Sequence, residues 1–534
     1  MKTKTTEKQL RRPRHRPFLV PGVLFVGLSV ACVGLLVVQS LLGDSSLAAI
    51  VSPLSWLATL DPSAALDILA NAAEVVAAVL AIAITVIAIV VELAANRYSH
   101  QITRLFLREP ANVLVLGIFL VTAVQCVWVA VVLDDVDPSA ILPLAGFGIT
   151  LAMVTLSLLL LLPYIYFVFD FSSPISVIER ICRDAYSTVL KARSDNVASS
   201  QKSVEAAIDE LQDVARSAIQ QGDRGIAISA VDALAGFIND YAHIRADLPE
   251  GWFEITQGVA EDPDFIALAP ESLDDVESRG IWVERKIFRR YLSLMGQAAM
   301  RERDVANLIG INTQRIATGI GTENEDLLEL CIYAFNSYLR ATINVRDIRT
   351  AYYLMNQFRL VGEKLLAVGQ PAKAIEIAGY LREYGQIAHN MGASFLLESA
   401  AFYVMSLVEI AVQEDSPALD DLLDCLLQLD MEIREESQEE QTASLLGVRR
   451  CQMKLATLFL MRGDDERARR IADDLRGERM ERLDRLRRGL LSDDRPQFWE
   501  LMDLGVNFAY LSPERRPYLD VLFELIKGAD RAAV

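Results

Sequence analysis

The rhythm of apolar and polar positions changes near residue 171. Before it the chain runs in long apolar stretches. After it apolar residues recur at the three-and-four spacing of helices that bury one face. A helix rises ~1.5 Å per residue, so about 20 mostly apolar residues cross ~30 Å of hydrocarbon. Four segments meet that demand: 18–43, 68–93, 112–133 and 140–169. The expected fold is all-α. A basic leader (1–17) precedes a four-span transmembrane region (18–171). A helical bundle or α-solenoid-like domain (172–534) follows, with a loop insertion at 248–275. From Ser172 onward no apolar run reads as long enough to cross a bilayer. The first apolar run exceeds the ~15 residues of a signal peptide and three more spans follow it, so it reads as an uncleaved anchor.

Lys and Arg set the expected orientation. The leader MKTKTTEKQLRRPRHR is basic, Arg97, Arg104 and Arg108 follow span two, and Arg180 and Arg183 follow span four. The links DSSLAAIVSPLSWLATLDPSA and DDVDPS carry neither residue. All basic segments fall on one side, which predicts that both termini are cytoplasmic. After span two, Tyr98, Ile102, Leu105 and Phe106 share a helix face. That face suits either a helix at the inner headgroup boundary or a continuation of span two into the cytosol.

Span two raises the sharpest question. Stepping by four and three along DILANAAEVVAAVLAIAITVIAIVVE gives Asp67, Asn71, Glu74, Ala78, Ala81, Thr85, Ala88 and Glu92, all acidic, polar or small. The other positions are greasy. A carboxylate facing hydrocarbon costs several kcal/mol, so this stripe is expected to meet protein or water. It fits a close-packing seam between helices or, in a homo-oligomer, the lining of a wet pathway with Glu74 as a ring of charge. Asp44, Asp61, Asp134, Asp135 and Asp137 on the outer links read as turn chemistry or as an acidic vestibule. Thr122 and Gln125 are candidates for hydrogen bonds across helices, and Pro143, Gly146 and Gly148 for close packing or a bend.

Beyond span four, QQGDRGIAISAVDAL, AVGQPAKAIEIAGYL and MRGDDERARRIADDL share a helix, a Gly turn and a second helix with an early Ala. Gly222 pairs with Ala227, Gly369 with Ala374, and Gly463 with Ala468; Ala378 and Ala472 follow in the last two. Gly closes one helix and Ala lets the next pack close, as in the turn of tetratricopeptide-type repeats. The insertion LPEGWFEITQGVAEDPDFIALAPESLDD reads as a long surface loop, with Ser272 and Asp275 placed to cap the helix bearing RGIWVERKIFRRYL. In AFNSYLRATINVRDIRTAYYLMNQFR, Arg340, Asn344 and Asp347 share one face, as do Tyr352, Asn356 and Arg359. They read as a ligand or partner groove, or as a buried polar network with Arg340 paired to Asp347 or Glu363.

Composition sharpens this picture. Mean hydropathy is +0.26, with 52% hydrophobic residues concentrated in the first third, and the formal charge is −19 despite the basic leader. The later domain is therefore acidic, which argues against nucleic acid. The six cysteines form no C-x-x-C, and the four histidines are scattered. No metal site and no cofactor is expected. No phosphate-binding Gly loop, nucleophile elbow or dinucleotide pattern occurs, so no enzyme is expected.

The run VIAIVVELAANRYSHQITRLFLREPANVLVLGIFLVTAVQCVWV, with WVERKIFRRYL and YLRATINVRDIRTAYYLMNQFR, resembles a family of bacterial multi-pass membrane proteins catalogued as a domain of unknown function. The family's YSPR reads Tyr98-Ser99-His100-Gln101 here. The resemblance implies a bacterial inner-membrane protein with a cytoplasmic helical domain, and it brings no activity or site residues. Two functions fit: a membrane-anchored helical scaffold or sensor binding a cytoplasmic protein partner or a small ligand, and an oligomeric cation channel lined by span two.

Overall fold

The computed structural model describes residues 62–97, 110–134, 144–171, 173–430, 439–498 and 504–528. The leader, span one, residues 98–109, the outer-link residues Asp44, Asp61, Asp135 and Asp137, and Pro143 of span four lie outside them. Two compact units divide at Arg180 and Ile181.

The first unit holds α1 (Pro62–Arg97), α2 (Pro110–Asp134), α3 (Leu144–Phe171) and the start of α4 (Pro174–Leu190). Within them Ser63–Leu93, Ala111–Val131 and Gly146–Asp170 are long and apolar enough to cross a membrane. The three helices meet through three small cores. Ala65 and Leu69 meet Phe147; Val76 meets Phe119, Cys126 and Val154; Ala83, Ile87 and Val91 meet Tyr164, Phe167 and Val168. Ile82, Leu114 and Trp128 point outward, as lipid-facing side chains do. Tyr164 donates to Asn112 Oδ1 at 3.2 Å, joining α3 to α2. The expected bridging role of Thr122 is corrected: its hydroxyl donates to Ile118 O of its own helix, which satisfies it locally. Nor does Gly146 mark a close approach, since a Cβ there would touch nothing.

The second unit continues through α5 (Val197–Gln221), α6 (Arg224–Ile244), α7 (Gln257–Ala260), α8 (Pro270–Arg279), α9 (Trp282–Arg301), α10 (Arg303–Thr318), α11 (Glu325–Asn344), α12 (Ile348–Ala367) and α13 (Pro371–Asn390). It ends with α14 (Phe395–Gln413), α15 (Leu419–Leu427), α16 (Glu439–Arg462), α17 (Asp465–Leu475), α18 (Met480–Ser492) and α19 (Tyr518–Ile526). No strand occurs among the described residues. Two rows form. α5, α9, α11 and α13 pack in sequence along one, and α6, α10, α12, α14 and α16 along the other. This layering is that of an α-solenoid, in which each helix pair buries its apolar face on the next.

The turns between helices explain the regularity. Gly222, Gly369 and Gly463 adopt φ of 72°, 78° and 77°, where glycine carries no steric cost. The next residue donates back to the helix it leaves, as in Asp223 N to Ala218 O at 2.8 Å and Gln370 N to Leu365 O at 2.8 Å. Ala227, Ala374 and Ala468 then enter the core fully buried. Arg346 and Asp415 occupy the same left-handed region, so positions 346, 369, 392 and 415 carry turns 23 residues apart.

Two expectations are corrected here. α14 is long and apolar enough to span a membrane, although no such run was expected past Ser172. Instead α12, α13 and α16 surround it, and Leu397, Ala400, Val404, Leu407 and Val408 are fully buried. A helix enclosed on most sides is apolar most of the way round. The insertion is not a surface loop either: Trp252, Val259 and Phe265 are buried. Ser272 and Asp275 cap nothing. They lie inside α8, which starts on Pro270 without a side-chain cap, and Asp275 pairs with Arg279 at 2.8 Å.

Candidate functional site

The stripe on α1 points away from the described helices. Asp67, Asn71, Glu74, Ala78, Ala81, Thr85, Ala88 and Glu92 are all exposed. α1 packs through the opposite set, Ala65, Leu69, Val76, Ala83, Ile87 and Val91. Thr85 satisfies its hydroxyl on Ala81 O at 2.8 Å.

The two polar trios near residue 350 do not form one groove. Arg340 and Asn344 are exposed on α11. Asp347 caps α12, accepting from Thr350 N at 3.3 Å and from the Thr350 hydroxyl at 2.6 Å, and Arg303 lies 3.7 Å away. Tyr352 and Asn356 are buried. Arg359 donates to Asn356 Oδ1 at 2.9 Å, pairs with Glu363 and lies 5.8 Å from the centre of the Tyr403 ring. The expected partners of Arg340 are thus corrected: Arg359 takes Glu363, and the helix cap takes Asp347. Tyr352, Asn356 and Arg359 tie α12 to α14, as a buried network requires.

The insertion brings a charged cluster into the core that sequence reading missed. Lys286 on α9 lies 2.6 Å from Asp262 and 3.0 Å from Asp209 of α5. Arg290, one turn on, lies 2.8 Å from Asp209 and 2.9 Å from Asp264. Gln201 donates to Trp252 O at 2.9 Å and Glu254 O at 2.8 Å, and Trp252 donates to Tyr241 at 3.0 Å. Burial pushes the nearby Glu205 carboxyl up to about 7. Lys286, Arg290, Asp209, Asp262 and Asp264 are paired with one another and tie the insertion to α5 and α9.

The next face of α9 differs. Arg285, Arg289 and Leu292 border a cleft of about 210 Å³ against Leu330, Tyr333 and Ser337 of α11. Among the described residues no carboxylate lines it. Arg285 Nε is buried without a hydrogen-bond partner, and burial together with Arg289 holds the guanidinium below its ordinary range. Nearby acids are engaged elsewhere. Asp275 pairs with Arg279, and Glu329 binds Arg279 and accepts from Tyr333 at 2.6 Å. A signal for this face existed in RGIWVERKIFRRYL. Neither Arg285 nor Arg289 has an acid three or four residues away on its helix.

Apolar helices that bury one face on each other and turn another outward define a membrane protein. Residues 14–235 match the model of a family described as a predicted membrane protein, DUF2254, whose role is uncharacterised. The match covers the membrane region and α4, α5 and part of α6, so WVERKIFRRYL and YLRATINVRDIRTAYYLMNQFR fall outside it. No curated protein matches the chain, and no solved structure does.

Proposed function

We propose that this is a membrane-anchored sensor whose helical unit binds a small ligand and presents its two helix rows to a protein partner. The observation that carries the reading is the cleft between α9 and α11, lined by Arg285 and Arg289 and by no acid among the described residues. Small-molecule sites are concave, with a few polar groups set among apolar ones, and here the two arginines stand beside Phe288, Leu292 and Leu330. The distribution of Lys and Arg supports a cytoplasmic helical unit with both termini inside. The test is extraction of metabolites with the full chain in detergent, comparing wild type with Ser337→Trp, which fills the cleft. A small molecule retained by the open cleft and lost from the filled one upholds the reading. Equal recovery from both removes it.

One observation favours a second reading, an oligomeric cation channel. The exposed stripe of α1 places Glu74 on a face that other copies could close into a ring. Cation flux into liposomes that falls with Glu74→Gln supports this reading; absence of flux, or flux indifferent to the change, sinks it.

A further inference from the structure

We infer that the group seated between Arg285 and Arg289 is a phosphate, carried on a small ester or a lipid headgroup. This rests on the ligand-binding reading above and names its chemistry. Three observations lead there. The chain is acidic overall, at −19, yet this cleft is lined by two arginines and no acid. Neighbouring cations are matched: Arg245 to Glu284 at 3.0 Å, Arg279 to Asp275 at 2.8 Å and Arg290 to Asp209 at 2.8 Å. Among the described residues no carboxylate lies within ion-pair distance of Arg285, and the one near Arg289 is Asp264 at 3.9 Å, already held by Arg290.

Charge then selects the ligand. Like charges four apart on a helix repel, so the pair is better suited to an occupied cleft than an empty one. A carboxylate brings one charge and two oxygens, enough for one guanidinium fork. A phosphate monoester brings about −1.5 to −2 and three acceptor oxygens, which match two. Size agrees. The cleft, about 210 Å³, falls below the ~300–1,000 Å³ of sites for drug-sized ligands. It takes a phosphate and the first part of its ester. Leu292 and Leu330 offer apolar contact to that part, and the exposed Tyr333 ring offers a flat one.

The test is equilibrium dialysis of the full chain in maltoside micelles against labelled inorganic phosphate. Saturable binding is expected, weakened at least tenfold by Arg289→Gln and by Arg285→Gln. Arg289 is half-exposed, so its substitution leaves the fold intact and keeps the result interpretable. Phenyl phosphate as competitor and micelles doped with phosphatidylglycerol separate the sources. Displacement by the soluble ester alone assigns a free phosphate ester, and lost phosphate binding in doped micelles assigns a headgroup. Absence of saturable binding, or equal binding by wild type and Arg289→Gln, overturns the inference. If the metabolite extraction then recovers a phosphate-free molecule dependent on the open cleft, the sensor reading survives without it.

Discussion

Lys286 Nζ lies 2.6 Å from Asp262 Oδ2, and the lysine side chain is wholly buried. The contact joins a core helix to a segment whose sequence looks like a loop. Removing the sole partner of a buried charge costs ~3–5 kcal/mol, but Lys286 keeps Asp209 at 3.0 Å, so the loss here is smaller. Asp262→Ala is therefore expected to lower the unfolding free energy by about 1.5–3 kcal/mol, the worth of one hydrogen bond to a charged group, and to open 248–275 to protease. Limited proteolysis with mass mapping checks this. Cleavage no faster than in wild type would show that Trp252 and Phe265 hold the insertion without the ion pairs.

Glu210 sets a pH dependence of known sign. Burial, with Asp213 and Asp184 nearby, pushes its carboxyl up to about 7, whereas an unfolded Glu titrates near ~4.3. The folded value is the higher, so the group's contribution is fully present below the unfolded value and is lost as pH rises through about 7. Glu210→Gln is expected to change little at pH 4 and to stabilise the chain by about 1–3 kcal/mol at pH 8. Denaturant unfolding at both pH values checks it, and an equal effect at the two would refute the assignment.

Much of the fold was readable because membrane spans and Gly turns leave strong local marks. Gly222, Gly369 and Gly463 each supply a conformation that other residues adopt at a cost, and each stands near a small Ala. The same turn at Arg346 was hidden, because arginine gives no sign of φ 57°. What remained unreadable is long-range. Nothing local tells α14 from a membrane span, since enclosure by helices and enclosure by lipid select the same residues. Nor does the sequence near 250 reveal that Asp262 and Asp264 would find Lys286 and Arg290. The stripe on α1 was visible as a period, but its outward direction was not, because a small-residue face serves packing and exposure alike.

The hidden turn makes a direct prediction. A non-glycine residue in the left-handed region costs ~1–2 kcal/mol, part of which glycine returns through its more flexible unfolded state. Arg346→Gly is expected to stabilise the chain by about 0.5–1 kcal/mol, while Gly369→Ala destabilises it by a similar amount. Thermal unfolding of both variants in detergent checks the pair. A drop for Arg346→Gly would mean that its side chain holds the turn.

Gly385 tests how closely the solenoid rows approach. A Cβ added there would lie 2.7 Å from the Ala400 Cβ. Both groups sit directly on the backbone, so relief requires α13 and α14 to move apart. Overpacking of this kind costs ~1–3 kcal/mol, against a helix-propensity gain of up to ~1 kcal/mol for Ala over Gly. Gly385→Ala is expected to destabilise on balance, and Gly385→Ala with Ala400→Gly to recover most of the loss. Absence of that recovery would place the strain elsewhere.

The membrane unit offers a contrast between two hydroxyls. Tyr164 reaches across to Asn112 on another helix, whereas Thr122 bonds to Ile118 O on its own. Hydrogen bonds between membrane helices average ~0.6 kcal/mol and reach ~1.7 at most, because the separated helices find other partners in lipid. A bond within one helix survives when the helices part, so it contributes nothing to their association. Tyr164→Phe is expected to lower the stability of the helix assembly by about 0.6 kcal/mol, and Thr122→Ala to leave the hydrogen-bond component unchanged. Dodecyl sulfate titration of the full chain, followed by the helix signal, measures both. Equal losses for the two variants would mean that packing around the side chains, and not the bond between α2 and α3, governs their association.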